Sequence, residues 1–133
     1  GSSQWLARPP TRARTLVFAP DPSRLFGGGW FDLYRWDTGS GALEVLDTEH
    51  EGIIQHIRFL QEPDQLASIS RQTDSSILIL DPASGATREF IGRHELCGDY
   101  VEVSPDGRYL VTTADDASIR IWDRTQLRER NSR

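Results

Sequence analysis

The stretch VEVSPDGRYLVTTADDASIRIWD, residues 101–123, decides how this chain folds. It contains three short runs of apolar and β-branched residues, and the turn Ser104-Pro105-Asp106-Gly107 separates the first two. Proline presets φ, and the Asp and Gly that follow suit the next corner of the backbone, so this tetrapeptide is typical of a β-hairpin. The stretch therefore predicts three antiparallel strands that end at Trp122-Asp123.

The same arrangement occurs three times along the chain. Trp36-Asp37, Leu80-Asp81 and Trp122-Asp123 lie 44 and 42 residues apart, and each pair closes an apolar run. A fixed period of about 40–45 residues is typical of architectures built from one repeated unit. We predict four strands in each of three units, with the bounds 4–37, 43–81 and 87–123. The twelve predicted strands are residues 4–6, 16–18, 24–26, 33–35, 43–46, 57–59, 65–67, 77–79, 88–91, 101–103, 108–111 and 119–121.

The two ends of the chain do not carry this pattern. Residues 1–3, Gly1-Ser2-Ser3, are interpreted as a tag or linker remnant. Residues 124–133 are read as a polar C-terminal tail, for which helix, tail and disorder all stay open. The repeats therefore occupy residues 4–123.

Composition excludes several classes of protein. The 133 residues carry 15 basic and 20 acidic side chains, a net charge of −5, and all the basic residues are arginines scattered singly. Because neutralising phosphates needs clustered positive charge, nucleic-acid binding is not expected. The longest apolar runs are a few residues, against the roughly 20 that a membrane-spanning helix needs. A single cysteine permits no intramolecular disulfide and no zinc spacing, so we expect a cytoplasmic protein without metal or cofactor.

The repeat resembles the WD-repeat family of β-propellers, in which each unit closes on Trp-Asp and a Gly-His pair precedes the next unit. The third copy matches best, because Gly92 and His94 precede its first strand and Trp122-Asp123 close its last. The resemblance implies an all-β fold of three four-stranded antiparallel WD-type blades, part of a larger ring or completed by oligomerisation. It also implies a non-catalytic module for protein–protein interaction or scaffolding.

The family builds a hydrogen-bonded structural tetrad of His, Ser or Thr, Asp and Trp into each blade. The resemblance places this tetrad in the third copy at His94, Thr112, Asp116 and Trp122. These four residues are expected to stabilise the blade.

The other two copies depart from that pattern. The second keeps a partial tetrad, His50, Ser68 and Asp74, with Leu80 in place of the tryptophan. In the first copy a proline and Trp30 replace the His and the Asp, so no tetrad is expected there. The first blade must then depend on packing and backbone pairing.

A Ser or Thr with His and Asp also suggests a hydrolase, since these groups can act as nucleophile, base and orienting carboxylate. Thr112 lies inside a predicted strand without a glycine-flanked nucleophile turn, and the set recurs one repeat earlier. A feature present in each blade is more naturally architectural. A small hydrolase, a regulatory domain of a larger enzyme and a purely structural self-assembling propeller remain the alternatives.

Partner-binding residues are expected on one rim of the ring, where the family gathers the loops between its strands. The run Gly27-Gly28-Gly29 is read as a flexible hairpin, with exposed aromatic residues directly after it. Aromatic and Arg side chains usually supply the dominant contacts of an interface, although burial between blades would also explain the aromatics. The predicted rim residues are Trp30, Phe31, Arg71, Gln72 and Asp115.

Three blades are too few to close a ring, because propellers have about four to eight. The faces of the end sheets would then stay uncovered. A dimer that forms six blades is the preferred expectation, and a longer propeller from which these blades come is the alternative.

Overall fold

The computed structural model describes residues 2–62, 64–72 and 74–126. In these residues the chain forms eleven strands in three antiparallel sheets, which confirms the predicted all-β fold. The sheets are called blade 1 (β1-β2-β3-β4), blade 2 (β5-β6-β7-β8) and blade 3 (β9-β10-β11). The strands are β1 Thr15–Phe18, β2 Arg24–Gly28, β3 Asp32–Asp37, β4 Leu43–Asp47, β5 Ile53–Phe59, β6 Leu66–Arg71, β7 Ser76–Leu80, β8 Thr87–Arg93, β9 Gly98–Val103, β10 Tyr109–Ala114 and β11 Ile119–Asp123.

The structure groups these strands differently from the predicted bounds 4–37, 43–81 and 87–123. β4 and β8 close the sheets of the preceding strands instead of opening the next unit, so the blades run over 15–47, 53–93 and 98–123. The reason is that a short turn makes consecutive antiparallel strands neighbours. Within the described residues blade 3 therefore has three strands instead of four.

The predicted strand at residues 4–6 does not form. A strand in this position of the repeat pairs with the third strand of its own sheet, as β4 pairs with β3, and the described residues contain no third strand paired with residues 4–6. The segment instead lies along blade 1, where the Ala7 amide donates to the Gly41 carbonyl at 3.0 Å and Trp36 Nε1 donates to the Ala7 carbonyl at 2.8 Å. The segment and the sheet enclose a groove of about 500 Å³.

In blades 1 and 2 the aspartate of the Trp-Asp or Leu-Asp pair holds the turn that follows it. Asp37 Oδ1 accepts the amides of Gly39 at 2.8 Å and Ser40 at 3.0 Å, and Asp81 Oδ1 accepts the Ala83 amide at 2.9 Å. Backbone hydrogen bonds from Ser40 and Gly39 keep the pKa of Asp37 below its ordinary value. The repeated Asp therefore fixes the hairpin into the fourth strand.

Two apolar clusters join the blades. One lies between blades 1 and 2, the other between blades 2 and 3, so blade 2 is covered on both faces and every residue of β7 is buried. Burial on both faces explains why β7 is apolar without alternation. The first cluster comprises Phe26, Leu33, Ile54, Ile57, Leu66, Leu78 and Leu80, and the second comprises Leu60, Ala67, Ile69, Ile77, Ile79, Ile91, Val101 and Leu110.

Blade 3 leaves one apolar face exposed, whereas the N-terminal segment partly covers the outer face of blade 1. Ile77 and Ile79 of blade 2 are 0% and 1% exposed under blade 3. Their counterparts one repeat later, Ile119 and Ile121, are 72% and 68% exposed on blade 3. The same apolar positions thus lie at an interface in blade 2 and face solvent in blade 3.

The three consecutive glycines are not the flexible hairpin that the sequence predicts. Gly27 and Gly28 belong to β2, and all three are buried. A Cβ on Gly28 would lie 2.6 Å from Cγ2 of Ile54, whose amide donates to the Gly29 carbonyl at 2.9 Å. Gly28 is therefore needed for the close approach of blades 1 and 2, whereas a Cβ on Gly27 or Gly29 would meet Trp36 or Tyr34 within blade 1.

The first residue of the predicted polar tail at 124–133 is buried and bound to the sheets. Arg124 is buried, and its guanidinium donates to the Gly107 carbonyl at 2.8 Å, to Gln65 Oε1 at 2.9 Å and to Glu89 Oε2 at 3.1 Å. This contact joins the end of β11 to blade 2. Residues 127–133, and residue 1 of the predicted N-terminal remnant, lie outside the described part of the chain.

Candidate functional site

The structure brings together three of the four expected tetrad residues in blade 3. His94 Nε2 lies 2.6 Å from Thr112 Oγ1, and Trp122 Nε1 donates to the same oxygen at 2.9 Å. Asp116 reaches the histidine only through Ser118, whose hydroxyl donates to Asp116 Oδ1 at 2.6 Å and lies 3.3 Å from His94 Nδ1. Sequence reasoning missed this serine.

The donor and acceptor groups of these side chains determine which atom donates in each hydrogen bond of this relay. The hydroxyl proton of Ser118 is directed at Asp116, so the serine oxygen accepts from a protonated Nδ1 of His94. Nε2 then accepts from Thr112, whose oxygen accepts from the Trp122 indole. Burial and the nearby Arg120 lower the pKa of His94, which favours the neutral ring that the relay requires.

Blade 2 contains a denser network around the partial tetrad. Asp74 Oδ2 lies 3.0 Å from His50 Nδ1 and accepts from the hydroxyls of Ser70 at 2.7 Å and Ser76 at 2.6 Å. Ser68 Oγ lies 2.7 Å from His50 Nε2. The two additional serines supply the donors that hold the carboxylate in a buried position.

Asp74 stays ionised although it is buried. Burial alone would raise the pKa of its carboxyl. Hydrogen bonds from His50, Ser76, Ser70 and the Glu51 amide lower this pKa by more than burial raises it, so the pKa lies well below the ordinary value. Arg93 adds an ion pair at 3.2 Å to the second carboxylate oxygen. A fully satisfied network of this kind stabilises one arrangement of the strands.

Ser70, Ser76 and Ser118 were not singled out from the sequence, although a signal for two of them was present. Ser76 follows Asp74 by two positions, and Ser118 follows Asp116 by two, so the Asp-x-Ser pattern recurs after 42 residues. In both blades this serine approaches Nδ1 of the histidine. The repeated pattern therefore marks a fifth member of each network.

The two hydroxyl groups of a hypothetical hydrolase are inaccessible. Ser68 and Thr112 are both 0% exposed, and the side chain of His50 is buried. Besides its contact with His50, Ser68 Oγ lies 3.2 Å from the Leu78 carbonyl, while Thr112 is engaged by His94 and Trp122. A nucleophile needs room for a substrate within about 3 Å, so this geometry fits structural networks.

Blade 1 replaces the tetrad with a different contact. Thr11 Oγ1 and the Tyr34 hydroxyl lie 2.5 Å apart, and Thr11 Oγ1 also accepts the Trp30 amide at 3.2 Å. Tyr34 is fully buried under the N-terminal segment. The blade thus has a polar contact in addition to the packing and strand pairing that the sequence predicts.

Two of the five predicted rim residues bind each other across blades. Arg71 of blade 2 donates to both carboxylate oxygens of Asp115, at 3.1 and 2.6 Å, in the loop of blade 3 between β10 and β11. Gln72 follows Arg71 and is exposed with a φ of 78°. The ion pair links neighbouring blades at the rim, and Gln72 lies beside it.

Trp30 and Phe31 form an exposed aromatic pair between β2 and β3. Their rings lie 5.6 Å apart, and the residues are 41% and 48% exposed. The Phe31 amide donates to the Gly52 carbonyl at 3.0 Å, and Thr48 Oγ1 donates to the Phe31 carbonyl at 2.5 Å. The backbone under both rings is therefore fixed, although Phe31 has a φ of 67° that a bulky residue rarely adopts.

Two further features concern ligands and membranes. The described residues contain no group of three or more His, Cys, Asp or Glu side chains that could hold a metal ion. No helix in that part of the chain is long and apolar enough to cross a membrane.

Comparison with known proteins identifies the class of this fold. Residues 96–123 match the family described as WD domain, G-beta repeat. The solved structure titled "Structure of U3-55K" superimposes with a TM-score of 0.79 at 20% sequence identity, and covers 93% of this chain and 39% of that one. This likeness shows the β-propeller fold.

Curated relatives agree with this class. Polyadenylation factor subunit 2 of Cryptococcus neoformans var. neoformans is 29% identical over 128 residues, which are 94% of this chain and 17% of the relative. Striatin-4 of Homo sapiens is 27% identical over 97 residues, which are 73% of this chain and 13% of the relative. The chain thus spans less than a fifth of either relative, and the findings together support its assignment to the WD-repeat family.

The buried carboxylate of blade 2 gives a direct test of the network. Asp74→Asn should lower the free energy of unfolding by about 3 kcal/mol, because a neutral amide oxygen cannot satisfy the donors that converge on Oδ2. Asp116→Asn, the matched position of blade 3, should have a much smaller effect because Asp116 is exposed. Urea denaturation of both variants measures the difference, and equal losses would contradict a special role for Asp74.

Proposed function

We propose that the chain is a non-catalytic interaction module that binds a protein or peptide partner on the rim carrying Trp30 and Phe31. WD-repeat proteins generally mediate protein–protein interactions, and one relative is by name a subunit of a polyadenylation factor. The observation that carries the proposal is the exposed aromatic pair on a fixed backbone. Two large side chains whose backbone is already ordered lose little entropy on binding, which favours an interface anchor.

The other rim residues fit a supporting role. Arg71 and Asp115 form a bidentate ion pair at the junction of blades 2 and 3. This pair fixes the two loops relative to each other and gives the surface beside the aromatic residues a polar border. Exposed Gln72 is available for a hydrogen bond. A partner of this module would contact aromatics on blade 1 and polar groups on blades 2 and 3.

The absence of catalysis is part of the proposal. It is supported by the inaccessibility of Ser68 and Thr112 and by the generally non-catalytic character of the family. A serine-reactive probe should not label the chain, and labelling lost in Ser68→Ala would revive the hydrolase alternative. A cytoplasmic location, and partners other than nucleic acid or membrane, stay predictions from the sequence.

Trp30→Ala tests the proposed surface. The hydrogen bonds recorded for Trp30 are made by its backbone and survive the change, so the melting temperature should stay nearly constant while partner capture weakens by about 2 kcal/mol. Trp5→Ala is the matched control, because Trp5 is 95% exposed away from the rim. A lower melting temperature with intact capture would contradict the proposal, because Trp30 would then stabilise the packing between blades and would not bind the partner.

We also propose that a second copy of the chain covers the open faces and forms a six-bladed ring. The open face of blade 3 presents Ile119 and Ile121, whose counterparts in blade 2 are buried against the next blade. The outer face of blade 1 is partly covered by the N-terminal segment but leaves Leu16 and Phe18 more than half exposed. Neighbouring blades in the chain pack the later face of one blade on the earlier face of the next. Because blade 3 and blade 1 present these two faces at the ends, two copies can form the same contact between chains.

Ile121→Arg tests this assembly. The native mass of the unmodified chain at micromolar concentration should be twice that of one chain, and Ile121→Arg should halve it because a charge would enter the apolar contact. Leu96→Arg is the control, since Leu96 is 52% exposed in the loop between blades 2 and 3. A stable single chain with cooperative unfolding would contradict the dimer and favour a longer propeller.

A further inference from the structure

The surroundings of the Trp30–Phe31 pair are acidic. The end of β4 and the loop from β4 to β5, which binds Phe31 through Thr48 and Gly52, carry Asp47, Glu49 and Glu51 and no Arg. On the neighbouring strand Asp32 directly follows Phe31 in the chain. The aromatic pair thus lies between two acidic segments.

Two of these carboxylates face each other. Asp32 of β3 and Asp47 of β4 are register partners, so like charges stand directly opposite in one sheet. Such a pair destabilises a sheet. Burial, and then the charge of Asp47, raises the pKa of Asp32. Neither carboxylate forms an ion pair with an arginine in the part of the chain that the structure describes.

The opposite rim is organised differently. There the arginines at the strand ends neutralise the acids of the turns, as in Arg24–Asp37 at 3.0 Å and Arg108–Asp123 at 3.0 Å. The arginines nearest to the aromatic pair along the chain, Arg24 and Arg35, are bound by Asp37 at 3.0 Å and by Glu44 at 2.8 Å. The Asp32–Asp47 pair beside the exposed aromatic residues therefore has no arginine partner among the described residues, whereas acids of the opposite rim do.

We propose that the aromatic pair with its flanking carboxylates is a receptor for an arginine side chain in a basic segment of the partner. This inference rests on the proposed function and names the chemistry of its occupant. A guanidinium stacks on aromatic faces and bonds carboxylates through its planar donors, so one side chain matches both features of the surface. It would also relieve the repulsion between Asp32 and Asp47, which nothing within the described chain neutralises.

The exposed faces of Trp30 and Phe31 suit this use because both are held before binding. The Gly52 carbonyl and Thr48 hold the Phe31 backbone at its positive φ, and Thr11 accepts the Trp30 amide. Thr48 belongs to the acidic loop, so the same hydrogen bond fixes the position of the loop relative to the ring. Aromatic faces and carboxylates are therefore arranged by one set of contacts.

The test uses two labelled peptides and the full chain. The probe is the N-acetylated, fluorescein-labelled peptide Gly-Ser-Arg-Gly-Arg-Ser-Arg-Gly, and the control replaces each arginine with glutamate. Fluorescence anisotropy should show saturable binding of the arginine peptide that weakens with added salt, and no binding of the glutamate peptide. Absence of saturable binding at millimolar peptide, or equal binding of the glutamate peptide, would overturn the proposal.

Substitutions locate the site. Trp30→Ala should weaken binding of the arginine peptide about tenfold and Asp47→Asn about threefold, because they remove the stacking face and one charge. Asp64→Asn, an exposed acid on the opposite rim, should leave binding unchanged. Equal affinity of Trp30→Ala and the unmodified chain would refute the site even if the peptide binds.

The outcome separates this inference from the proposed function. If Trp30→Ala abolishes capture of a protein partner but the arginine peptide does not bind, the interaction surface stands and its arginine chemistry is wrong. If Trp30→Ala affects neither capture nor peptide binding, both proposals are wrong.

Discussion

A β-sheet of this kind cannot cover both of its own faces, and the structure depends on that constraint. Blade 2 is sandwiched between two neighbours, so β7 consists of buried residues on both faces. Each end blade has a neighbour on one side alone, and Ile119 and Ile121 stay exposed as a result. Stability in such a repeat array depends on the contacts between neighbouring units, so the exposed apolar residues of blade 3 are where the proposed second copy would pack.

Buried polar networks lie within blades 2 and 3. In blade 2 the carboxylate of Asp74 collects hydroxyl and imidazole groups in a site without solvent, and in blade 3 Ser118 bridges Asp116 to His94. The residue types are those of a hydrolytic triad, but their burial leaves no space for a substrate. The same side chains can thus support catalysis or architecture, and accessibility decides between the two. The proposed partner-binding surface is instead the rim, where Trp30 and Phe31 are exposed on a hydrogen-bonded backbone.

The sequence was sufficient to predict the repeat and eleven strands of the twelve expected, because Trp-Asp pairs and proline turns recur with a fixed period. It did not predict the blade bounds, because the repeat pattern does not show whether a fourth strand joins the sheet before it or the sheet after it in the chain. In the structure it joins the sheet before it. It also misread Gly27-Gly28-Gly29, because a close approach of two backbones depends on residues such as Ile54 that are distant in sequence. The Arg71–Asp115 pair spans 44 residues and joins two loops, so it becomes visible only in three dimensions.

Hydrogen exchange followed strand by strand tests most directly whether contacts between blades hold the fold together. At a concentration low enough to keep the chain single, the account predicts the slowest amide exchange in β6 and β7 and faster exchange in β10 and β11, because blade 2 alone is covered on both faces. Equal protection of all three blades in the single chain would contradict the account, since coverage by two neighbours would then give blade 2 no extra stability over blade 3.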